Sequence, residues 1–337
     1  MSDPRFDSPT YDILGIGNAI VDVVARTDDS FLSRHGMHKG AMALIDAEQA
    51  EKLYAAMPPG IESSGGSAAN TCAVAAMLGA RVAYLGKVAR DQLGEVFRHD
   101  ITAAGVHFPS THAASGAPTA RCLILVTPEG QRTMNTFLGA SVAFGPHDVD
   151  PALVADAAVT YLEGYLFDPP EAQAAFRAAA AAAHAAGRQV ALSLSDAFCV
   201  HRHRASFRAL VQQDVDILFA NEAEICALYE VNDFASAVEA ARRDVALAAL
   251  TRSEAGSLIL RGAERLEVAA HPAIVVDTTG AGDAYAAGFL TGLTAGRGLD
   301  VCGALGSLAA AAVIAQYGAR PQEDLKHQAA MLLAQNT

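Results

Sequence analysis

A chain of 337 residues, 52% hydrophobic and 18% charged, holds enough apolar material for a large buried core and excludes an intrinsically disordered polymer. Its 24 Lys and Arg against 37 Asp and Glu leave a net charge of -13, which argues against polyanionic partners, nucleic acid included. The five cysteines, at 72, 122, 199, 226 and 302, contain no C-x-x-C pair and point to neither a disulfide framework nor a zinc site.

In chain order, residues 1–10 are polar and lack the apolar core of a signal peptide, so they are expected to form a loose arm. No stretch reaches the roughly 18–20 apolar residues of a membrane span, and a cytoplasmic protein without a membrane partner is expected. Tyr11 to Gly17 reads as a buried strand, followed by partly alternating segments over Ile20 to Thr27 and Gly40 to Ile45. Asp46-Ala47-Glu48-Gln49 opens a helix to about Met57, and the loop at Gly65-Gly66 opens an alanine-rich one to Leu78. A strand over 81–87 and a helix over 91–104 follow. Thr119 to Thr127 and Arg132 to Phe137 alternate about the turn Pro128-Glu129-Gly130-Gln131, an antiparallel hairpin that belongs with the early strands.

From about 151, strands at Val159 to Glu163, Gln189 to Leu194 and Ile217 to Ala220 alternate with helices over 169–186, 201–213 and 221–229. Strands near Ala246 to Thr251 and Ser257 to Leu260, and helices over 234–243, from 282 and over 300–316, complete the pattern. The β-branched pair Val275-Val276 reads as a further strand ending at Asp277. Such alternation implies an α/β fold, with a mostly parallel central sheet, helices on both faces and ligands at the carboxyl ends of the strands. No linker or repeat divides the chain, so 1–337 is expected to be one unit whose small β lid comes from about 18–46 and 117–140.

The richest chemistry lies in Asp277-Thr278-Thr279-Gly280-Ala281-Gly282-Asp283. Glycines 280 and 282 allow successive N–H groups to point one way at the start of a helix, which makes an anion-binding nest. Asp283 in the first turn can accept a proton beside that nest, or can simply complement the helix dipole. Ser64-Gly65-Gly66-Ser67-Ala68-Ala69-Asn70 opens a second helix in the same manner. Together with Gly17-Asn18-Ala19-Ile20-Val21-Asp22 and Asn221-Glu222-Ala223-Glu224, these segments make nearly the whole chain resemble the PfkB (ribokinase-like) carbohydrate and nucleoside kinases. What carries the resemblance is the order of the four motifs more than any one of them.

The resemblance implies a ribokinase-like fold and transfer of a phosphoryl group from ATP to an alcohol, which calls for in-line positioning, charge neutralisation and a base. Asp283 matches the family's base, Gly280, Ala281 and Gly282 its anion hole, and Arg132 a basic lid residue over the phosphates. Asn18 and Asp22 match positions that hold sugar hydroxyls, with Gly65, Gly66 and Asn70 as a third contact. Asn221 and Glu224, one helical turn apart, match residues that organise Mg2+ through water. Thr251 to Gly256 and the region from Ala310 to Gly318 are expected to wall the nucleotide base, with Ser253 standing where the family usually has glycine. Asp277 and Thr279 match positions that coordinate a monovalent cation, most often K+, in many relatives. Taken alone, the residues leave plainer readings open: a capping box at Asn221 and Glu224, a solvated loop acid at Asp22, a solvated strand-edge arginine at Arg132.

For the acceptor, the apolar stretches Cys122 to Leu125 and Met134 to Leu138, with Tyr165, Leu166 and Phe167, offer surface for a flat base, whereas a free sugar would want more polar groups. The opening Gly17 to Asp22 motif looks more like adenosine kinases than ribokinases or fructokinases. Transfer to the 5'-hydroxyl of adenosine is therefore expected, in a monomer or homodimer. A sugar kinase of the same family and a non-catalytic nucleoside-binding protein stand as alternatives.

Overall fold

The computed structural model describes residues 8–322 and 324–335, so most of the arm expected at the amino terminus, residues 1–7, lies outside the described residues. Fourteen strands are present among them: β1 Tyr11–Ile16, β2 Ile20–Arg26, β3 Met42–Leu44, β4 Ile61–Gly65, β5 Val82–Leu85, β6 Val106–His107, β7 Ala120–Val126, β8 Arg132–Phe137, β9 Ala157–Glu163, β10 Gln189–Ser193, β11 Ile217–Asn221, β12 Leu247–Thr251, β13 Ser257–Arg261 and β14 Glu264–Val268. The large sheet runs β14-β13-β12-β11-β10-β9-β1-β5-β6, parallel from β12 to β6 and closed at the other end by two antiparallel strands.

Its central strands are apolar on both faces because helices cover both. Ile13, Val159, Tyr161, Ala191 and Ile217 join one core, with the helices Ser67–Met77, Ala281–Thr294 and Leu299–Ile314. Their chain neighbours Leu14, Leu162, Val190, Leu192 and Leu218 join the other, with Pro170–Ala185 and Ala197–Gln213. All five cysteines are free, and four of them are buried. No helix among the described residues is long and apolar enough to cross a membrane.

The small sheet runs β3-β8-β7-β2-β4, with β2 parallel to β7 and the β7–β8 hairpin antiparallel. Val21, Val23, Leu123 and Leu125 on one face pack into the main core with Phe31, Leu32 and Leu53. On the other face Ile20, Val24, Cys122, Ile124 and Met134 form an apolar layer of their own, and strand alternation adds Asp22 to that layer.

Three details depart from the sequence reading. Ile61–Gly65, of which the sequence reading assigns only Gly65, as part of a loop, is β4 and pairs with β2; its polar Glu62-Ser63-Ser64 centre hides the strand pattern. The short edge strands β6 and β14 also escape that reading, one for its length and one for its exposed, charged sequence. Val275-Val276, by contrast, is no strand: β14 occupies the sheet edge, and the segment is tied instead by the Val276 and Asp277 N–H groups donating to the Ile314 carbonyl at 2.8 and 3.2 Å. Ile274, Val275 and Val276 are exposed as a result.

Candidate active site

The motif residues gather where the carboxyl ends of β1, β9 and β11 meet the open face of the small sheet. Asn18 follows β1 and is fully buried. Its backbone N–H and its Nδ2 donate to Glu163 Oε1 at 3.2 and 2.7 Å, and Ala68 N–H donates to Glu163 Oε2 at 2.7 Å. Glu163, the last residue of β9, therefore serves from a distance as cap for the helix Ser67–Met77, whose own N-cap Gly66 has no side chain to offer. Gly66 sits at φ +96, and a Cβ there would lie 2.2 Å from the Asn18 carbonyl oxygen. Gly66→Ala is accordingly expected to cost about 2–4 kcal/mol of stability, read by urea denaturation, because neither the backbone angle nor the neighbour can yield cheaply.

Asp22 reaches the same space from β2, and a Cβ at Gly65 would lie 2.3 Å from its Oδ2, so the glycine makes room for the carboxylate. Burial pushes Asp22 up to about 6 against the pull of Arg320 and Arg132. Asp283, in the first turn of Ala281–Thr294, accepts a hydrogen bond from Ser67 Oγ at 2.6 Å. Burial likewise raises its carboxyl to about 6, opposed by hydrogen bonds from Ser67 and Asn70 and by the charge of Arg320, and reinforced by Asp22. Two half-buried acids thus share a cleft with arginine, a setting that poises a carboxylate near neutrality.

The helix Ala281–Thr294 begins at Gly280, in the left-handed region at φ +78, and has no side-chain cap. The Ala281 N–H is taken up by the Thr278 carbonyl at 3.2 Å, which shifts the expected nest one residue on, to the N–H groups of Gly282 and Asp283. A Cβ on Gly282 would meet nothing within 4 Å, so that position opens on free space of the kind a phosphate needs.

Asn221 and Glu224 do form the capping box: Glu224 N–H donates to Asn221 Oδ1 at 2.9 Å, and Asn221 N–H and Nδ2 donate to Glu224 Oε2 and Oε1 at 2.9 and 2.7 Å. Glu224 is buried, and burial together with the charges of Asp196 and Asp283 raises it to about 7. Carboxylates facing one another with lone pairs to spare suit a hydrated divalent cation. Among the described residues no group of three or more His, Cys, Asp or Glu could hold a metal directly.

Thr251 ends β12, and the loop after it turns back so that Arg252 N–H donates to the Gly256 carbonyl at 2.7 Å. Ser253 adopts φ +49, which explains why glycine would suit that position. Gly256, at φ +80, leaves no room for a Cβ beside Val268 O.

Arg132 and Asp277 are brought together, which the sequence does not predict. Arg132 Nη1 donates to Asp277 Oδ2 in an almost fully buried ion pair between small sheet and core. Oδ2 also accepts from Gly318 N–H at 3.1 Å, and Oδ1 accepts from Thr279 N–H and Oγ1 at 3.0 and 2.7 Å. Burial works to raise this carboxyl, yet the bonds from Thr279 and Gly318 and the Arg132 charge outweigh it and hold it below the ordinary range. Of the Asp277 and Thr279 oxygens expected to coordinate K+, those of the Asp277 carboxylate are thus engaged by Arg132, Thr279 and Gly318.

Part of the expected base-stacking surface also moves. Phe137 pairs with Arg121, which pairs with Val21, so it falls on the face opposite Asp22. Leu166 and Phe167 are buried in the core, Phe167 against Phe176 and Phe207, which leaves Tyr165 as the accessible aromatic of that group. Ser67, Glu163 and Arg320 are site residues that the sequence reading missed. Ser67 stands inside a quoted motif and Glu163 ends a parallel strand, but Arg320 carries no pattern.

Residues 50–325 match the family model for the pfkB family of carbohydrate kinases. The chain belongs to that family. A crystal structure of adenosine kinase from Sinorhizobium meliloti is 57% identical, with TM-score 0.88, covering 96% of this chain and 99% of that one. That of a probable sugar kinase from Rhizobium etli CFN 42 is 51% identical, with TM-score 0.89, covering 96% and 98%. Among proteins of assigned activity, adenosine kinase 1 of Arabidopsis thaliana is 28% identical over 91% of this chain and 94% of its own. The large α/β layer with a smaller lid sheet is the fold of these pfkB kinases.

Proposed function

We propose that this pfkB kinase is an ATP-dependent adenosine kinase that phosphorylates the 5'-hydroxyl. The observation that carries the reading is the Asp283 carboxylate, held by Ser67 at the mouth of an uncapped, glycine-opened helix and facing Asp22. The 57% identity to an adenosine kinase over nearly the full chain supports the nucleoside as acceptor. ATP supplies the phosphoryl group, with Mg2+ held through water by Asn221 and Glu224. Asn18, Asp22, Gly65, Gly66 and Asn70 bind and orient the ribose. Asp283 takes the proton from the attacking hydroxyl. The N–H groups of Gly282 and Asp283, with Arg132 from the lid exchanging Asp277 for the phosphates, stabilise the charge on the transferring group. Thr251 and Gly256 belong to the loop proposed to border the nucleotide base.

The apolar inner layer of the lid closes over the acceptor and excludes water. The test is ADP release with adenosine, inosine, ribose and fructose at equal concentration. A free pentose or hexose turned over faster than adenosine overturns the acceptor, and no turnover with any of them overturns the kinase.

Asp22→Ala is expected to raise the acceptor's KM at least about tenfold and to leave that of ATP almost unchanged, since buried hydroxyls lose their acceptor. A shift confined to the KM for ATP would mean that the two sites have been interchanged. The pH profile follows from the Asp283 carboxyl at about 6. The base works deprotonated, so kcat/KM is expected to be flat above that pH and to fall about tenfold per unit below it, measured with saturating ATP.

A further inference from the structure

Arg320 lies in the segment after the helix Leu299–Ile314, and its guanidinium enters the cleft from behind Asn70. Nε donates to Asn70 Oδ1 at 3.1 Å, and Nη1 donates to Ser64 Oγ at 2.9 Å and Asp100 Oδ2 at 3.2 Å. Nη2 is buried without a partner. A guanidinium only donates, so the Asn70 atom turned toward it must be the carbonyl oxygen, and the amide nitrogen is left to face Asp283. Ser67 Oγ, one helical turn before Asn70, donates to that carboxylate at 2.6 Å, and the Asn70 side chain also favours its ionised form. The arginine thus locks the amide in the orientation that also suits the carboxylate.

The charges around Asp283 give the arginine a second effect. Asp22 from β2, Glu163 from β9 and Glu224 face it as acids whose negative forms oppose its charge, beside the neutral hydroxyls of Tyr161 and Tyr165. Arg320 is the cation among these groups, and it faces Asp22 as well, together with Arg132 from β8. Asp100, 40% exposed, neutralises part of the guanidinium from the far side.

We propose that Arg320 is a positioning residue for phosphoryl transfer, which orients the Asn70 amide toward Asp283 and keeps that carboxylate ionised. The inference rests on the reading of Asp283 as base. Two measurements on the full chain separate the two. In the first, the Asp283 carboxyl carbon is titrated by NMR, assigned by its loss in Asp283→Asn. Arg320→Met is expected to raise the midpoint by about one pH unit, tenfold in proton affinity, Arg320→Lys by less than half of that, and Asp100→Asn to lower it.

In the second, the acid limb of kcat/KM moves with the midpoint, so that kcat/KM in Arg320→Met falls about twofold at pH 7 and about tenfold well below pH 6. A strut with no such role would lower thermal stability and leave the midpoint and limb in place. The proposal is overturned if Arg320→Met moves neither, or if Asp100→Asn moves them in the same direction as Arg320→Met. Should Arg320→Met not fold, Arg320→Lys and Asp100→Asn decide by the same signs. If the wild type turns over no acceptor, the kinase reading fails while the NMR titration still tests Arg320.

Discussion

Asp283→Asn is expected to lower kcat by about 10² or more while leaving acceptor affinity nearly unchanged. Asparagine has the shape of the acid and can keep the bond from Ser67 Oγ, so the cleft retains its geometry. What it lacks is a site for the proton of the attacking hydroxyl, and a loss of about 10² corresponds to about 2.7 kcal/mol of transition-state stabilisation. The substitution also removes a carboxylate that burial and Asp22 both disfavour. The unliganded variant should therefore melt above the wild type at pH 7.5, and the difference should shrink as pH falls through about 6, where Asp283 becomes protonated. A coupled ADP assay gives kcat, and calorimetry gives the acceptor Kd. Unchanged kcat would remove Asp283 from the role of base, and lost binding would make it an acceptor ligand instead.

The second large effect concerns the acceptor. Adenosine is expected to exceed ribose and fructose in kcat/KM by at least about 10²-fold, for which about 2.7 kcal/mol is sufficient. The source is the apolar layer of the lid, Ile20, Cys122, Ile124 and Met134, on the same face as Asp22. Burying the base against it gains free energy that a bare sugar cannot collect. Ile124→Ala should therefore narrow the gap by weakening adenosine and hardly touch ribose. Equal losses for both acceptors would mean that the layer only supports the lid. The 51% identical probable sugar kinase makes this comparison a real contest between acceptors.

Much of this was legible in the sequence because strand–helix alternation and glycine-opened turns are local signals. The parallel order of the central sheet, the helices from Ser67 and Ala281, and the lid hairpin over Ala120–Val126 and Arg132–Phe137 all follow from patterns within a few residues. Val275-Val276 failed because β-branched residues favour a strand only where a partner strand exists, and none is available at that edge. Phe137 failed by a single register step, which moves a side chain to the opposite face of a sheet. Arg320, Glu163 and the Arg132–Asp277 pair escaped for a different reason. These contacts join residues 95 or more apart in the chain, and no spacing rule reaches that far.

That same separation bears on how the chain matures. Ser67 meets Asp283 across 216 residues, and Ser64 meets Arg320 across 256. Closing loops of such length is entropically unfavourable until both halves of the sheet are already in place. On a ribosome, the stretch that carries Asn18, Asp22, Ser67 and Asn70 emerges long before its counterparts, and it waits with Asp22 and Asn70 unmatched by Arg320 and Ser67 unmatched by Asp283. Catalytic competence is therefore a property of the finished chain, and regain of turnover after denaturation should lag behind recovery of secondary structure.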